Sequence, residues 1–154
     1  MADEDPLIWE IESSENFLDE HFLYRGIHKN IWQTWENLQK IDPNFFMKRR
    51  AIEGLSTDWS KYADPQFTLT RLNSDLAIYG IAEINVGQFK NVIEVQKFPL
   101  TIHHDPIRIA TESEPLNRAH TLIKGFSEKN TTKIRRKISK ITKWAPNMSP
   151  VIEE

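Results

Sequence analysis

Apolar residues recur along the chain with two periods, and the change of period divides it into elements. Ile31, Trp35, Leu38 and Ile41 stand at i, i+4, i+7 and i+10, one stripe of a helix that Trp32 widens. Asn30 can cap its start. Asp42-Pro43 ends it, because proline disfavours helical geometry in the residue before it. Asp64-Pro65 opens a second helix, with Asp as cap and Pro at the first position, running through Leu69 and Leu72 to about Leu76. A third helix carries Ile134, Ile138 and Ile141 on one side with Trp144 following. Thr131 or Thr132 can cap it and Pro146 stops it.

Between these lie stretches of shorter period. His21–Arg25 predicts a short strand, and Ala77–Val86 and Val92–Phe98 predict two more, joined around Gly87 as a hairpin. Asn117–Ile123 predicts a buried strand. His103–Ile109 is interrupted by Pro106, which restricts it to an edge strand or a loop. Phe45–Ile52 is ambiguous and compatible with a strand, while Gly54–Tyr62, rich in Ser, Thr and Asp, predicts a loop. This succession predicts an α+β fold, a small mixed or antiparallel sheet packed with about three helices. The 154 residues suit one domain. It is expected over residues 17–145, preceded by a loosely ordered or strand-like arm (1–16) and followed by a loose tail (146–154).

The composition changes the picture in one respect. Net charge is only −2, yet its distribution is steep. Eight acids and no Lys or Arg fall in the first twenty residues. Seven bases (Lys129, Lys133, Arg135, Arg136, Lys137, Lys140, Lys143) and no acid fall between Lys129 and Lys143. Two outcomes follow: a basic helix face that is solvated or neutralised by the acidic arm, or a cationic surface that meets phosphates. With no cysteine, disulfides, thiolate metal sites and cysteine nucleophiles are excluded. The longest nearly apolar run, Leu76–Ala82, is far shorter than a bilayer requires, and the acidic start lacks the positive charge of a secretory signal. The expectation is a cytoplasmic protein without membrane contact. Glycine-rich phosphate loops are absent, and no cofactor is expected.

Three groups could carry chemistry. In extended chain His103 and Asp105 share a side, and with His120 they would make two imidazoles and a carboxylate, a weak candidate metal set. Arg25, at a strand end, has the planar fork that grips phosphate or carboxylate, and Ser56 in Gly54-Leu55-Ser56-Thr57-Asp58 could add a hydroxyl. Asn117 and His120 flank Ala119 on an otherwise apolar segment, so both need partners. His120 bonded to Asp105 would satisfy one of them and could orient a general base, with Ser56 or Thr57 as nucleophile. Of the tryptophans, Trp59 alone falls in a polar stretch, a candidate stacking residue for a nucleic-acid base.

The order Leu23-Tyr24-Arg25, Gly54-Leu55-Ser56 with Asp58, Tyr79-Gly80-Ile81, Asp105-Pro106 and Asn117-Arg118-Ala119-His120 resembles a family of small, uncharacterised prokaryotic proteins over residues 22–123. More remotely, the chain is similar to NAD-consuming toxins of the Arg-Glu-Ser type and to ADP-ribosyltransferase-like folds, Arg25 and Ser56 matching their Arg and Ser. The glutamate those proteins carry on the following helix is absent: Asp64–Leu72 contains Arg71 and no Glu, and Glu83 stands on a later strand. The resemblance implies a toxin–antitoxin or defence setting.

Two functions are therefore expected. One is a non-catalytic binding or accessory protein engaging nucleic acid or an acidic protein surface through Lys133, Arg135, Arg136, Lys137, Lys140 and Lys143, with Arg25 and Trp59 assisting. The alternative is an enzyme acting on NAD or an RNA phosphate through Arg25, Ser56 and His120. Composition favours the first. Convergence of Arg25, Ser56, Asp105 and His120 would favour the second.

Overall fold

The computed structural model describes residues 5–47 and 51–152. Six strands form one antiparallel sheet in the order β4-β5-β2-β1-β3-β6, with β1 Phe22–His28, β2 Leu55–Trp59, β3 Tyr79–Asn85, β4 Thr101–His104, β5 His120–Lys124 and β6 Thr142–Trp144. Helices are α1 Lys29–Trp32, α2 Pro65–Arg71, α3 Val86–Gln96 and α4 Thr131–Ser139. This is the expected α+β class.

Alternation along the central strands gives the sheet two apolar faces. Leu23, Ile27, Leu55, Trp59, Ile84 and Ile123 belong to the larger core, which α3 and α4 close with Phe89, Ile134 and Ile138. On the other face Tyr24 and Ile81 pack with Leu69 of α2 and with Leu72 and Met148. The two neighbours of β1 are unequal. With β3 it pairs along its whole length, Phe22↔Asn85 to His28↔Tyr79. With β2 it pairs only at Leu23↔Trp59 and Tyr24↔Asp58, and beyond Tyr24 the two strands part.

Several expectations are corrected. The stretch Ile31–Ile41 forms one helical turn and then a series of turns. Its buried tryptophans supply the reason: Trp32 Nε1 donates to the Ile78 carbonyl at 3.1 Å, and Trp144 Nε1 takes the Leu38 carbonyl that a continued helix would use. Asn37 and Asp42 add local turns by accepting from the amides of Gln39 and Asn44. Val92–Phe98 is mostly α3, not a strand, so no hairpin forms at Gly87. Asn85 accepts from Gln88 N at 2.9 Å and caps a helix whose Val86 and Phe89 are buried, and Lys97 ends it in left-handed geometry. Gly54–Tyr62 contains strand β2, because Leu55, Thr57 and Trp59 face the core while Asp58 finds buried partners opposite.

The final helix stops at Ser139 instead of running to Pro146. Thr142–Trp144 pair with β3 and cover its edge. Asn130 precedes it without a side-chain cap. Helix α2 starts as expected, Asp64 accepting from Phe67 N at 2.7 Å, and ends at Arg71. Phe45 and Phe46 lie buried in turns, whereas residues 48–50 of that ambiguous stretch fall outside the described residues. Arm residues 5–16 contain two short 3-10 turns, Pro6–Ile8 and Ser14–Asn16. In the tail Val151 N donates to Leu76 O at 2.7 Å. No helix among the described residues is long and apolar enough to cross a membrane.

Candidate functional site

Where β1 and β2 part, the polar residues of β2 and β5 gather on the face opposite the larger core. Their foundation is Asp58, fully buried and opposite His120 in the β2/β5 register. One carboxylate oxygen accepts from Thr68 Oγ1 at 2.8 Å and Arg71 Nε at 3.0 Å, and the other from Asn117 Nδ2 at 2.8 Å. A buried carboxylate left unpaired would cost several kcal/mol, so arrangements that separate α2 or the 117–120 segment from Asp58 without admitting water are disfavoured. Asn117 also closes its own turn, accepting from Ala119 N at 3.0 Å, and its main chain bridges to Ile107. The loop between β4 and β5 is thereby returned to the sheet, and Asp105 N donates to the His120 carbonyl at 2.9 Å.

That frame brings three predicted residues into a chain of contacts. His120 Nδ1 lies 2.8 Å from the Asp105 carbonyl oxygen and 3.2 Å from Asp105 Oδ2. His120 Nε2 lies 3.2 Å from Ser56 Oγ. A carbonyl oxygen can only accept, so Nδ1 carries the ring proton of the neutral imidazole and Nε2 presents its lone pair to the serine. The Ser56 hydroxyl then donates to His120. The ring is 11% exposed and the carboxylate 52% exposed, while Ser56 itself is exposed. A held base thus stands beside an accessible hydroxyl.

Arg25 reaches the same residue from across the parting, Nη1 donating to the Ser56 carbonyl at 2.9 Å. Alternation sets Arg25 on the Leu23/Ile27 side of β1 and Ser56 on the Tyr24/Asp58 side, so the four predicted residues meet through Ser56 and do not line one bowl. Arg25 lines a cleft of about 340 Å³ with Gly26, His28, Asn30, Ile31, Met47 and Tyr79. On the next strand Glu83, opposite Tyr24, is almost fully buried. Burial pushes its carboxyl above the usual range, partly offset by Lys143 at 3.9 Å. Burial, then Glu83 and Asp64, raise the Tyr24 hydroxyl in turn.

Other predicted residues fall elsewhere. Trp59 is 0% exposed, stacked on Phe17 at 3.9 Å, and its Nε1 donates to His21 Nδ1 at 3.0 Å. It is core, not a stacking platform. His103 points to the exposed side of β4, where its Nε2 lies 2.7 Å from Thr101 Oγ1. The described residues contain no group of three or more His, Asp or Glu placed to hold a metal, so His103, Asp105 and His120 do not form that set. Helix α4 buries Ile134 and Ile138 and leaves Lys133, Arg136 and Lys140 exposed, with Lys137 half-buried. Arg135 turns inward, Nη1 donating to Phe46 O at 3.4 Å. Lys143 belongs to β6 and faces Glu83.

Among the described residues, the acids of the arm make no ion pair with that helix. Glu12 bonds Lys61 and Tyr62, and accepts from Asn16 Nδ2 at 3.0 Å. Its amide donates to His104 Nδ1 at 3.0 Å, while His104 Nε2 meets the Arg118 carbonyl at 2.7 Å. Burial works to raise the Glu12 carboxyl, but the bonds from Lys61, Tyr62 and Asn16 outweigh it and hold it low. Burial lowers His104, against the pull of the Arg118 carbonyl. The partner that Asn117 needs on its apolar segment is Asp58, an identity with no local signal in the sequence, and His104 as the arm's dock has none either. Compared with protein-family models, with curated proteins and with solved structures, the chain matches none.

Proposed function

We propose that the protein is an enzyme acting on a phosphate-bearing nucleotide, NAD or an RNA phosphate, where β1 and β2 part. One observation carries the reading: Ser56 is engaged at both ends, its carbonyl by Arg25 and its hydroxyl by a histidine that Asp105 holds in one orientation. Arg25 lies on the other side of β1 and acts on the serine through its main chain, its guanidinium fixing the Ser56 carbonyl and with it the position of the hydroxyl. Ser56 positions the ribose or phosphate, and His120, with its Nε2 lone pair outward, serves as the acid or base. The remote likeness to NAD-consuming proteins in Arg25 and Ser56 agrees with this choice of substrate, although the glutamate of those proteins has no counterpart on the helix that follows Ser56. The test is incubation with NAD and with phosphorylated RNA ends, comparing wild type with Arg25→Ala. Turnover by wild type and its loss in the variant support the reading; no turnover of either substrate rejects it.

A second reading rests on a separate observation. Lys133, Arg136, Lys137 and Lys140 have no acid within ion-pair distance among the described residues. They make α4 a cationic strip able to bind nucleic acid or an acidic protein surface, as a substrate tether or as the whole activity. Such binding weakens steeply with salt, because each phosphate neutralised releases a counterion. Charge reversal at Arg136 and Lys140 lowers it. Binding at low salt that is indifferent to this reversal discards the second reading and leaves the first standing.

A further inference from the structure

We infer that Ser56 is a nucleophile activated by His120, with Asp105 as a positioning residue, so that the reaction passes through a covalent intermediate on the Ser56 oxygen. The inference rests on the enzyme reading above and narrows its chemistry from positioning to covalent transfer.

The argument begins with the imidazole. A backbone carbonyl 2.8 Å from Nδ1 fixes the proton there, and the half-exposed Asp105 carboxylate at 3.2 Å adds only a solvent-screened attraction when Nε2 takes a second proton. The Ser56 hydroxyl, at 3.2 Å from Nε2, is the donor nearest that lone pair. This is within the reach required of a nucleophile and its base, and such contacts tighten when substrate binds. Position on adjacent strands makes the arrangement rigid. Ser56 pairs with Leu122 and Asp58 with His120, so the β2/β5 ladder, and not loop side chains, sets the separation. Beneath the pair, the buried Asp58 with Thr68, Arg71 and Asn117 prevents that ladder from slipping. Ser56 is exposed, so an electrophile can approach its oxygen.

On a phosphoester the step balances as follows. The Ser56 hydroxyl proton passes to His120 Nε2 as the Oγ–P bond forms. The ester P–O bond breaks, and the leaving oxygen takes the proton back from His120. Water, deprotonated by the same nitrogen, then bonds to phosphorus as the Oγ–P bond breaks, and His120 returns that proton to the Ser56 oxygen.

A fluorophosphonate tests the step directly, because its phosphorus reacts with an activated serine, forming Oγ–P and expelling fluoride while the proton passes to His120. The full-length protein is treated and the adduct located by peptide mass spectrometry. Labelling is expected at Ser56 and absent in Ser56→Ala. It slows on the order of 100-fold in His120→Gln, which keeps the ring's approximate volume but offers no base, and the loss of one general base sets that scale. Added imidazole restores part of the rate in His120→Ala. Asp105→Asn stays within about threefold of wild type, since its main-chain carbonyl still holds Nδ1, whereas Asp105→Pro, whose ring disturbs that main chain and removes the amide bonded to His120, falls towards His120→Gln. Labelling of Ser56 no faster than that of the exposed Ser113, or unchanged in a folded His120→Gln variant, overturns the inference. The two readings separate cleanly. Ser56 labelling without turnover of NAD or RNA ends keeps the activated serine and removes the nucleotide substrate; turnover without labelling does the reverse.

Discussion

Strand β1 has two neighbours and treats them differently. Along β3 it is paired at seven positions, its side chains alternate between two cores, and the glycines Gly26 and Gly80 let Leu72, Tyr79, Trp144 and Pro150 close over the seam. Along β2 it is paired at two positions only, after which Arg25 substitutes its guanidinium for the missing ladder bond to Ser56. The closed seam is packed mainly by apolar side chains, with Glu83 buried among them, while across the open one Arg25 reaches a serine with a histidine one strand on. A sheet that parts leaves main-chain groups that need partners, and polar side chains satisfy them there. The same opening leaves the Ser56 hydroxyl accessible beside His120, which gives the open seam the chemistry of a site.

Substitutions can break this contrast in a graded way. Trp59→Ala strikes the paired end of the open seam, opposite Leu23, where the indole is fully buried among Phe17, Tyr62 and His104. It is expected to cost about 4 kcal/mol, measured by denaturant unfolding. Asp58→Ala orphans Arg71 and Asn117 behind the site, and a loss of about 3 kcal/mol is expected in the same experiment. Arg25→Ala is the sharper probe, since its partner is a partly exposed carbonyl. It should lower stability by no more than about 1 kcal/mol while abolishing turnover. A variant that instead unfolded would make Arg25 a structural residue and erase the difference between the seams.

Charge reversal of Arg136 and Lys140 should leave unfolding unchanged within about 0.5 kcal/mol, because both are exposed, Arg136 on α4 and Lys140 just past its end, and alter only salt-dependent binding to polyanions. The smallest effect expected is at the arm, where acid acts on two groups. His104 is held low, so the unfolded or undocked chain takes up its proton first, and docking weakens as pH falls below about 6.5, the ordinary histidine value. Protonation at Nδ1 removes the acceptor for the Glu12 amide. Glu12 is also held low, so what it contributes is present at neutral pH and fades on further acidification through its folded value. Faster amide exchange over residues 10–16 at pH 5 than at pH 7.5, after correction for intrinsic rates, is the expected outcome; equal protection at both would contradict it.

Sequence made the fold class legible, along with β3, β5, the start of α2 and the inward isoleucines of α4, because each rests on a local signal: alternation, an Asp-Pro start or a helical stripe. It misled where tertiary partners overrode that signal. The Ile31–Ile41 stripe looks helical, but indole N–H groups compete for its carbonyls. Val92, Ile93 and Val95 favour strand, yet Asn85 caps the segment as helix. Ser56, Thr57 and Asp58 read as loop because the partners of Asp58 lie on α2 and in the segment before β5, out of local view. The residue types of the site were visible: Arg25, Ser56, Asp105 and His120 were all recognisable as chemistry-bearing. Of their adjacency only His120 beside Asp105 was legible, from the need of a buried imidazole for a partner; the approach of Ser56 and Arg25 depends on the β2/β5 register and on the parting from β1, neither of which has a local signature.

Nitrogen NMR of the His120 ring in the wild-type protein at pH 8 tests the centre of this account. With Nδ1 carrying the proton and Nε2 bare, the two ring nitrogens should resolve as one protonated and one acceptor signal, and Ser56→Ala should move the Nε2 signal while leaving Nδ1 nearly unchanged. The reverse tautomer, or an Nε2 signal indifferent to the loss of the serine hydroxyl, would mean that the imidazole is not poised as the base for Ser56.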